Sequence, residues 1–196
     1  MTRMLEVYRR PHQVLKHGWT DAVDVGAIES ALARDPGLTH LAIVHLETTT
    51  GRWNDLEAVG RLCRARGVTL LLDAVSSFGA LPVESTAWNL GALAATANKC
   101  LHGAPGLSFV LASDALWQRK PAAAGSVYLD LHACHTDQHG NGYSPFTLPV
   151  QVAFALREAL AEHAEQGGTP ARFELYRARA DRTRAALAAA GVTPLL

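Results

Sequence analysis

Two polar residues that follow apolar runs are the candidates for chemistry in this sequence. Lys99 comes after a run of small, mostly apolar residues (92–97) and precedes a turn rich in glycine and proline (103–106). Asp73 closes the apolar run 68–72. Because α/β sheets bind ligands at the carboxyl ends of their strands, this pair suits a Schiff base to pyridoxal phosphate and a partner for its pyridine nitrogen. Spacing alone leaves a second interpretation open, in which Lys99 is a solvated loop lysine and Asp73 is a helix cap.

The elements that position these residues are predicted from hydrophobic patterns. Nearly continuous apolar runs are typical of strands buried on both faces of a parallel sheet, and they predict strands at 38–46, 68–72, 92–96 and 107–112. Apolar residues at helical spacing, with capping residues before them, predict helices from Asp24 to about 35, from Asn54 or Asp55 to about Gly67, from Asp114 to 117, from Val150 to 166 and from Thr169 or Pro170 to about Ala190.

This alternation predicts an α/β fold, a mostly parallel sheet with flanking helices. The segment 121–149 lacks convincing periodicity, and we predict a long loop there, of the kind that is usually functional or mobile.

The bulk composition excludes several classes of protein. The chain has 196 residues, 48% of them apolar and 18% charged, with a formal net charge of zero, which gives no electrostatic footprint for nucleic acid or an anionic membrane. No segment approaches the roughly 20 apolar residues of a membrane span. Three widely spaced cysteines argue against a disulfide framework and favour a reducing cytoplasm.

Three motifs together carry a family resemblance: HLETTTG (45–51), DAVSSFG (73–79) and NKCLHGAPG (98–106). In order and spacing they resemble the successive motifs of class V aminotransferases, most closely the branch that uses 2-aminoethylphosphonate and pyruvate. The resemblance implies the central part of a fold-type I large domain that binds pyridoxal phosphate at 1–165. It also implies a long helix at 166–196 that leads to a small C-terminal domain missing from this chain.

The resemblance also assigns roles to individual residues. It makes Lys99 the Schiff-base lysine that moves the proton between the substrate and the cofactor, and Asp73 the partner of the pyridine nitrogen. Four further positions match cofactor contacts, namely the phenolic oxygen for Thr48, a ring face for Val75, the phosphate for Asn98 and the phosphate of the neighbouring subunit for Thr147. Turn chemistry for Thr48, core packing for Val75 and helix capping for Thr147 remain open alternatives.

A dense group of histidines and one cysteine at 132–139 invites comparison with metal sites. Its spacing fits no standard zinc pattern, so we predict no metal, and the resemblance instead makes this segment a loop near the mouth of the active site. We expect Cys100 to be a packing residue and His102 to be a solvated turn histidine.

The resemblance implies an amino donor and a 2-oxo acid as small-molecule partners, and a homodimer or a complementing chain. The products would be phosphonoacetaldehyde and alanine, the alternative being an alanine–glyoxylate type of transaminase. The family's main phosphate-binding segment, its ring-stacking aromatic residue and its substrate-carboxylate arginine have no match here. The chain is therefore expected to be a truncated enzyme, one piece of a split enzyme, or a non-catalytic binding or assembly module. Apolar surface exposed where the missing segments would pack predicts association.

Overall fold

The computed structural model describes residues 2–119, 125–194 and 196. Its strands are β1 His40–Val44, β2 Thr69–Asp73, β3 Leu90–Thr96 and β4 Ser108–Ala112. Its helices are α1 Thr2–Val7, α2 Val25–Arg34, α3 Leu56–Arg66, α4 Asp114–Trp117, α5 Leu131–Gly140, α6 Val150–Glu165 and α7 Gly168–Ala189.

The strands form one sheet in the order β1-β2-β3-β4. β1, β2 and β3 are parallel, and β4 returns antiparallel to β3, which confirms a mostly parallel α/β sheet with flanking helices. The register places Val44, Asp73 and Ala94 side by side on neighbouring strands. Because β1, β2 and β3 point the same way, the loops that follow them leave from one edge of the sheet.

Two capped helices pack beside the sheet and build its core. Asp24 accepts a hydrogen bond from the Ala27 amide at the start of α2, and Asp55 accepts one from the Glu57 amide at the start of α3, both at 3.0 Å. α3 ends at Gly67, whose φ of 64° is the left-handed conformation of a helix C-cap. Both helices begin and end where the sequence predicts. The buried core combines residues of these helices and of β2 and β3: Ile28, Leu32, Leu56, Val59, Cys63, Leu70, Leu72 and Leu93.

The prediction of a long loop at 121–149 is wrong for residues 131–140, which form α5. Asp130 begins this helix by accepting hydrogen bonds from the backbone amides of His132 and Ala133 at 3.1 and 3.0 Å. Apolar residues do not recur at helical spacing along α5, so the periodicity on which the prediction rested gives no signal there. The histidine segment 132–139 accordingly lies on a helix, and residues 121–124 lie outside the described part of the chain.

α6 and α7 follow each other with only Gln166 and Gly167 between them, which agrees with the two separate helices predicted from Val150 and from Thr169 or Pro170. Pro149 occupies the N-cap position of α6, and no side chain caps this end of the helix. The capping alternative for Thr147 is therefore wrong, because Thr147 lies outside the cap position. Of the helices in the described ranges, none combines the length and the apolar character needed to cross a lipid bilayer.

Candidate active site

Three loops leave the same edge of the sheet and contact one another. They follow β1 (45–55), β2 (74–89) and β3 (97–107). Ser76, on the loop after β2, is the link between them. Its hydroxyl lies 2.5 Å from the Thr48 hydroxyl, and its carbonyl accepts from the Cys100 thiol at 3.3 Å. The structure thus brings the loop of Thr48 and the turn of Lys99 against the loop that begins at Asp73.

Asp73 is the last residue of β2 and is half-buried. Its Oδ1 accepts a hydrogen bond from the Val75 amide at 3.1 Å, so the aspartate closes a local turn of the kind that aspartate favours. This is a turn cap and not the helix cap that the sequence left open. Within the described residues Oδ2 has no hydrogen-bond donor, which leaves one carboxylate oxygen for an external N–H.

Lys99 is exposed on a tight turn that follows β3. The Lys99 carbonyl accepts from the His102 amide at 2.9 Å, and the Gly103 amide donates to the Ala97 carbonyl at 2.8 Å. A Cβ at Gly103 would lie 2.9 Å from that same carbonyl oxygen, so the close approach of the two backbone segments requires glycine. The turn therefore holds the lysine backbone in a defined place while its side chain projects to solvent.

The remaining predicted cofactor residues are less constrained. Asn98 is exposed, and its Oδ1 accepts from the Thr96 hydroxyl at 2.8 Å. Val75 is half-buried beside Asp73. Thr147 is exposed before α6, and among the described residues it has no hydrogen bond to the three loops. Its predicted partner lies in a neighbouring subunit, and that role stays a prediction.

A buried histidine, His45, is hydrogen-bonded to the end of β2 and to the loop that follows it. His45 follows β1, is 1% exposed, and donates its backbone amide to the Asp73 carbonyl at 2.9 Å. Its Nδ1 lies 3.0 Å from the hydroxyl of buried Ser77, and its ring packs edge-on against Trp88. Burial lowers the pKa of His45 to about 4, so the ring is neutral at neutral pH. Both His45 and Ser77 belong to the motifs that carry the family resemblance, but the motifs alone assign neither residue a role.

Sequence reasoning also missed a contact between α7 and the lysine turn. Arg172 of α7 donates from Nη1 to the Cys100 carbonyl at 2.7 Å, and the Tyr176 hydroxyl lies 2.5 Å from His102 Nε2. The expectation of a merely solvated His102 is therefore wrong: it is exposed but bonded. Desolvation, and then the Arg172 guanidinium, lower the pKa of His102.

The sequence signal for this contact was available but ambiguous. Phe173 and Tyr176 lie near one face of the helix that the sequence predicts from Thr169 or Pro170 onward, but this spacing does not identify what the face contacts. Nothing in a single sequence marks Arg172, their neighbour, as buried.

The histidines of α5 make ring contacts with neighbouring side chains. His135 stacks on Trp117 with 4.1 Å between ring centroids and lies 4.0 Å from His139 by the same measure. In the part of the chain that the structure describes, no group of three or more His, Cys, Asp or Glu side chains is arranged to hold a metal ion.

The chemical groups at the sheet edge suit one kind of ligand. A lysine amine reacts with a carbonyl carbon, a carboxylate oxygen accepts from a protonated ring nitrogen, and the paired hydroxyls of Thr48 and Ser76 suit a phenolic oxygen. Asp73 ends β2, and the other three groups lie on loops in mutual contact. These residues fit pyridoxal phosphate, and the arrangement is that of an enzyme of the fold-type I α/β class.

Comparison with known proteins identifies the family. Residues 13–192 match the family model described as Aminotransferase class-V, so the chain belongs to the class V aminotransferase family. Curated relatives of similar sequence are named 2-aminoethylphosphonate–pyruvate transaminase. The protein of that name from Aeromonas hydrophila is 42% identical over 186 residues, which are 94% of this chain and 49% of the relative. The one from Burkholderia thailandensis is 40% identical over 177 residues, 89% of this chain and 48% of the relative.

Solved structures show the same fold at lower identity. An alanine–glyoxylate aminotransferase from Nostoc sp. is 28% identical with a TM-score of 0.85, over 98% of this chain and 52% of the other. A pyridoxamine–pyruvate aminotransferase from Mesorhizobium loti is 26% identical with a TM-score of 0.80, over 89% of this chain and 45% of the other. The chain thus spans about half the length of the relatives it matches.

Proposed function

We propose that this chain carries the covalent and electronic centre of a pyridoxal-phosphate-dependent transaminase that moves the amino group of 2-aminoethylphosphonate to pyruvate. The observation that carries the proposal is the contact between the turn of Lys99 and the loop that follows Asp73, in a chain 42% identical to a relative of that name. When bound, pyridoxal phosphate supplies the electron sink for the bond broken at the amino-bearing carbon.

Lys99 is the nucleophile and the proton carrier in this proposal. Its Nζ, in the unprotonated form, would hold the cofactor covalently through the cofactor's carbonyl carbon, with loss of water, and an incoming amino donor would take its place. The freed Nζ would take the proton from the amino-bearing carbon of the donor and give it to the cofactor carbon that carried the carbonyl group. Because Lys99 is exposed at the tip of a tight turn, its amine can reach both carbon atoms while its backbone stays fixed.

The carboxylate of Asp73 would place a negative charge beside the ring nitrogen of the cofactor. Its Oδ1 is engaged by the Val75 amide, so Oδ2 is the oxygen that accepts the ring N–H. A negative charge there keeps the nitrogen protonated, which strengthens the ring as an electron acceptor. Thr48 would contact the phenolic oxygen, Val75 would pack on the ring face, and Asn98 would contact the phosphate.

A second substrate pair has its own support. The solved structure from Nostoc sp. is an alanine–glyoxylate aminotransferase with a TM-score of 0.85 to this chain. The two possibilities share Lys99 and Asp73 and differ in the groups that select the donor and the acceptor. Assays with 2-aminoethylphosphonate and pyruvate, set against alanine and glyoxylate, separate them.

We further infer the organisation of the assembled enzyme. Residues 1–165 form the central part of the cofactor-binding domain, and 166–196 lead toward a small C-terminal domain. A second copy or a complementing chain completes the site, with Thr147 reaching the phosphate bound by its neighbour. Three free cysteines support a reducing, cytoplasmic location.

The covalent bond to Lys99 is the first point to test. Pyridoxal phosphate is added to the purified chain, the visible spectrum is recorded, borohydride is added, and the labelled peptide is mapped. Lys16→Ala is the matched control, because Lys16 is also an exposed lysine. We expect a reducible absorption band that maps to Lys99, persists in Lys16→Ala and disappears in Lys99→Ala. A band that survives Lys99→Ala, or no band in a folded chain, contradicts the proposal.

A further inference from the structure

The helices α6 and α7 contact each of the three loops that form the candidate site. His163 of α6 lies 2.7 Å, through Nε2, from the carbonyl oxygen of Gly79 on the loop after β2. Phe173 of α7 packs edge-on against Trp53 on the loop after β1, with 5.9 Å between ring centroids. The remaining contact, between Arg172 and the turn of Lys99, is the one that bears on the reactive amine.

Arg172 is the buried member of this set. It is 3% exposed, although α7 is exposed over most of its length. Its Nη1 donates to the Cys100 carbonyl at 2.7 Å and its Nη2 donates to Gln166 Oε1 at 2.9 Å. Among the described residues no carboxylate pairs with it. A buried guanidinium is tolerated only where its donors are engaged, so its charge is directed at the carbonyl one residue after Lys99.

α7 therefore holds the lysine turn at two points. Arg172 fixes the Cys100 carbonyl, and Tyr176 bonds the ring of His102, whose own backbone amide donates to the Lys99 carbonyl. Hydrogen bonds to a charged donor are stronger than neutral ones, so Arg172 is the stronger of the two attachments. Both residues lie on one face of α7, one turn apart.

We propose that Arg172 is a positioning residue for Lys99, a role that rests on the proposed function. It touches no reacting atom and acts through the Cys100 carbonyl by fixing the turn on which the lysine stands. Covalent attack requires the amine close to the carbonyl carbon and aligned with it, so a small displacement of the turn slows the reaction strongly. α7 therefore sets the reactivity of Lys99, in addition to packing against the site loops.

The test compares Arg172→Gln with Arg172→Lys and with Arg177→Gln, an exposed arginine of the same helix in an ion pair with Glu174. One readout is backbone hydrogen exchange in the peptide 97–107, which needs no cofactor. The other is the rate of borohydride-trapped pyridoxal phosphate incorporation at Lys99, with Lys16 as the internal reference. In Arg172→Gln we expect exchange in 97–107 to rise about ten-fold while exchange in β2 stays unchanged.

The incorporation readout separates positioning from binding. We expect the limiting rate at saturating pyridoxal phosphate to fall about ten-fold in Arg172→Gln while the half-saturating concentration changes little. Arg172→Lys, which keeps a charged donor, should recover part of the loss, and Arg177→Gln should match the parent. If Arg172→Gln does not fold, Gln166→Ala removes the partner of Nη2 and is expected to show the same pattern more weakly.

Two results overturn the proposal. Unchanged exchange in 97–107 in a folded variant shows that Arg172 does not hold the turn. Exchange that rises equally throughout the chain, with no selective loss at Lys99, shows a general structural role. If the parent chain takes up no cofactor at Lys99, the proposed function fails and with it the role at the amine, while the exchange data still report separately whether Arg172 holds the turn.

Discussion

At the scale of single residues, His45 shows how burial changes a side chain's chemistry. Its ring lies between Ser77 and Trp88, and its backbone amide is bonded to the carbonyl of Asp73. Protonation would place a positive charge where water is excluded, which is why burial lowers the pKa of His45 to about 4. The residue therefore links the stability of the site to pH.

We predict that the free energy of unfolding decreases as the pH falls from about 6.5 to about 4 because of His45. In this window the unfolded chain binds a proton at His45 that the folded chain does not, so acid favours unfolding; the contribution is constant above about 6.5. The expected loss is about 2–3 kcal/mol across the window. Urea unfolding at several pH values measures it.

The variant His45→Asn isolates this contribution, because asparagine keeps a polar group near Ser77 but does not titrate. The pH dependence of its unfolding free energy should be shallower than that of the parent. His40, His102 and His135, whose pKa values are also lowered, remain in both proteins and cancel in the comparison. Equal slopes for the two proteins would refute the prediction.

At the scale of elements, the packing of α3 reverses a usual helix preference. Alanine in a helix interior is normally more stable than glycine by about 1 kcal/mol. Gly60 is buried, and a Cβ there would lie 2.4 Å from Cδ1 of Trp88. We predict that Gly60→Ala destabilises the fold by about 1–3 kcal/mol, as overpacking of a core does, measured by urea unfolding.

Gly140→Ala is the matched control for this prediction. Gly140 is the last residue of α5, and a Cβ there meets nothing within 4 Å. Its substitution should leave the stability unchanged or raise it slightly. If Gly60→Ala were as stable as Gly140→Ala, the close approach of Trp88 to α3 would not exist in solution.

The same elements show what the sequence could and could not predict. α2 and α3 were predictable because an aspartate cap precedes an apolar stripe at helical spacing in each. α5 was not, since its residues carry no apolar stripe and its start depends on a single cap at Asp130. The antiparallel return of β4 was also missed, because an apolar run of five residues does not encode the direction of its neighbour.

The residues of the candidate site also divide into those that the sequence predicts and those that it does not. The positions of Asp73 and Lys99 were predictable because both follow apolar runs, and the structure places Asp73 at the end of β2 and Lys99 on the turn after β3. Their roles toward the cofactor come from the resemblance and stay a proposal. Arg172 and His45 were not predictable, because their importance comes from burial against residues distant in the chain. Such contacts are visible only once the fold is known.

At the scale of the whole molecule, large apolar side chains remain exposed near the start of α6. Val150 and Phe154 lie one turn apart on this helix and are 55% and 57% exposed. Thr147, predicted to reach the phosphate of a neighbouring subunit, precedes Val150 in the segment that leads into α6. Large exposed apolar patches often mark interaction sites, so this end of α6 is the candidate for the proposed contact with a second copy.

We therefore predict that the chain associates and that Phe154→Asp weakens the association by about ten-fold or more, since aromatic side chains dominate interface energies. Sedimentation equilibrium over a range of protein concentrations measures the dissociation constant. Thermal stability at low concentration should be unaffected, because the side chain is exposed in the single chain. Leu187→Asp, which adds the same charge to an exposed position near the end of α7, should associate like the parent. A parent that stays monomeric at all concentrations, or equal weakening by both substitutions, would show that this surface of α6 is not where a second copy binds.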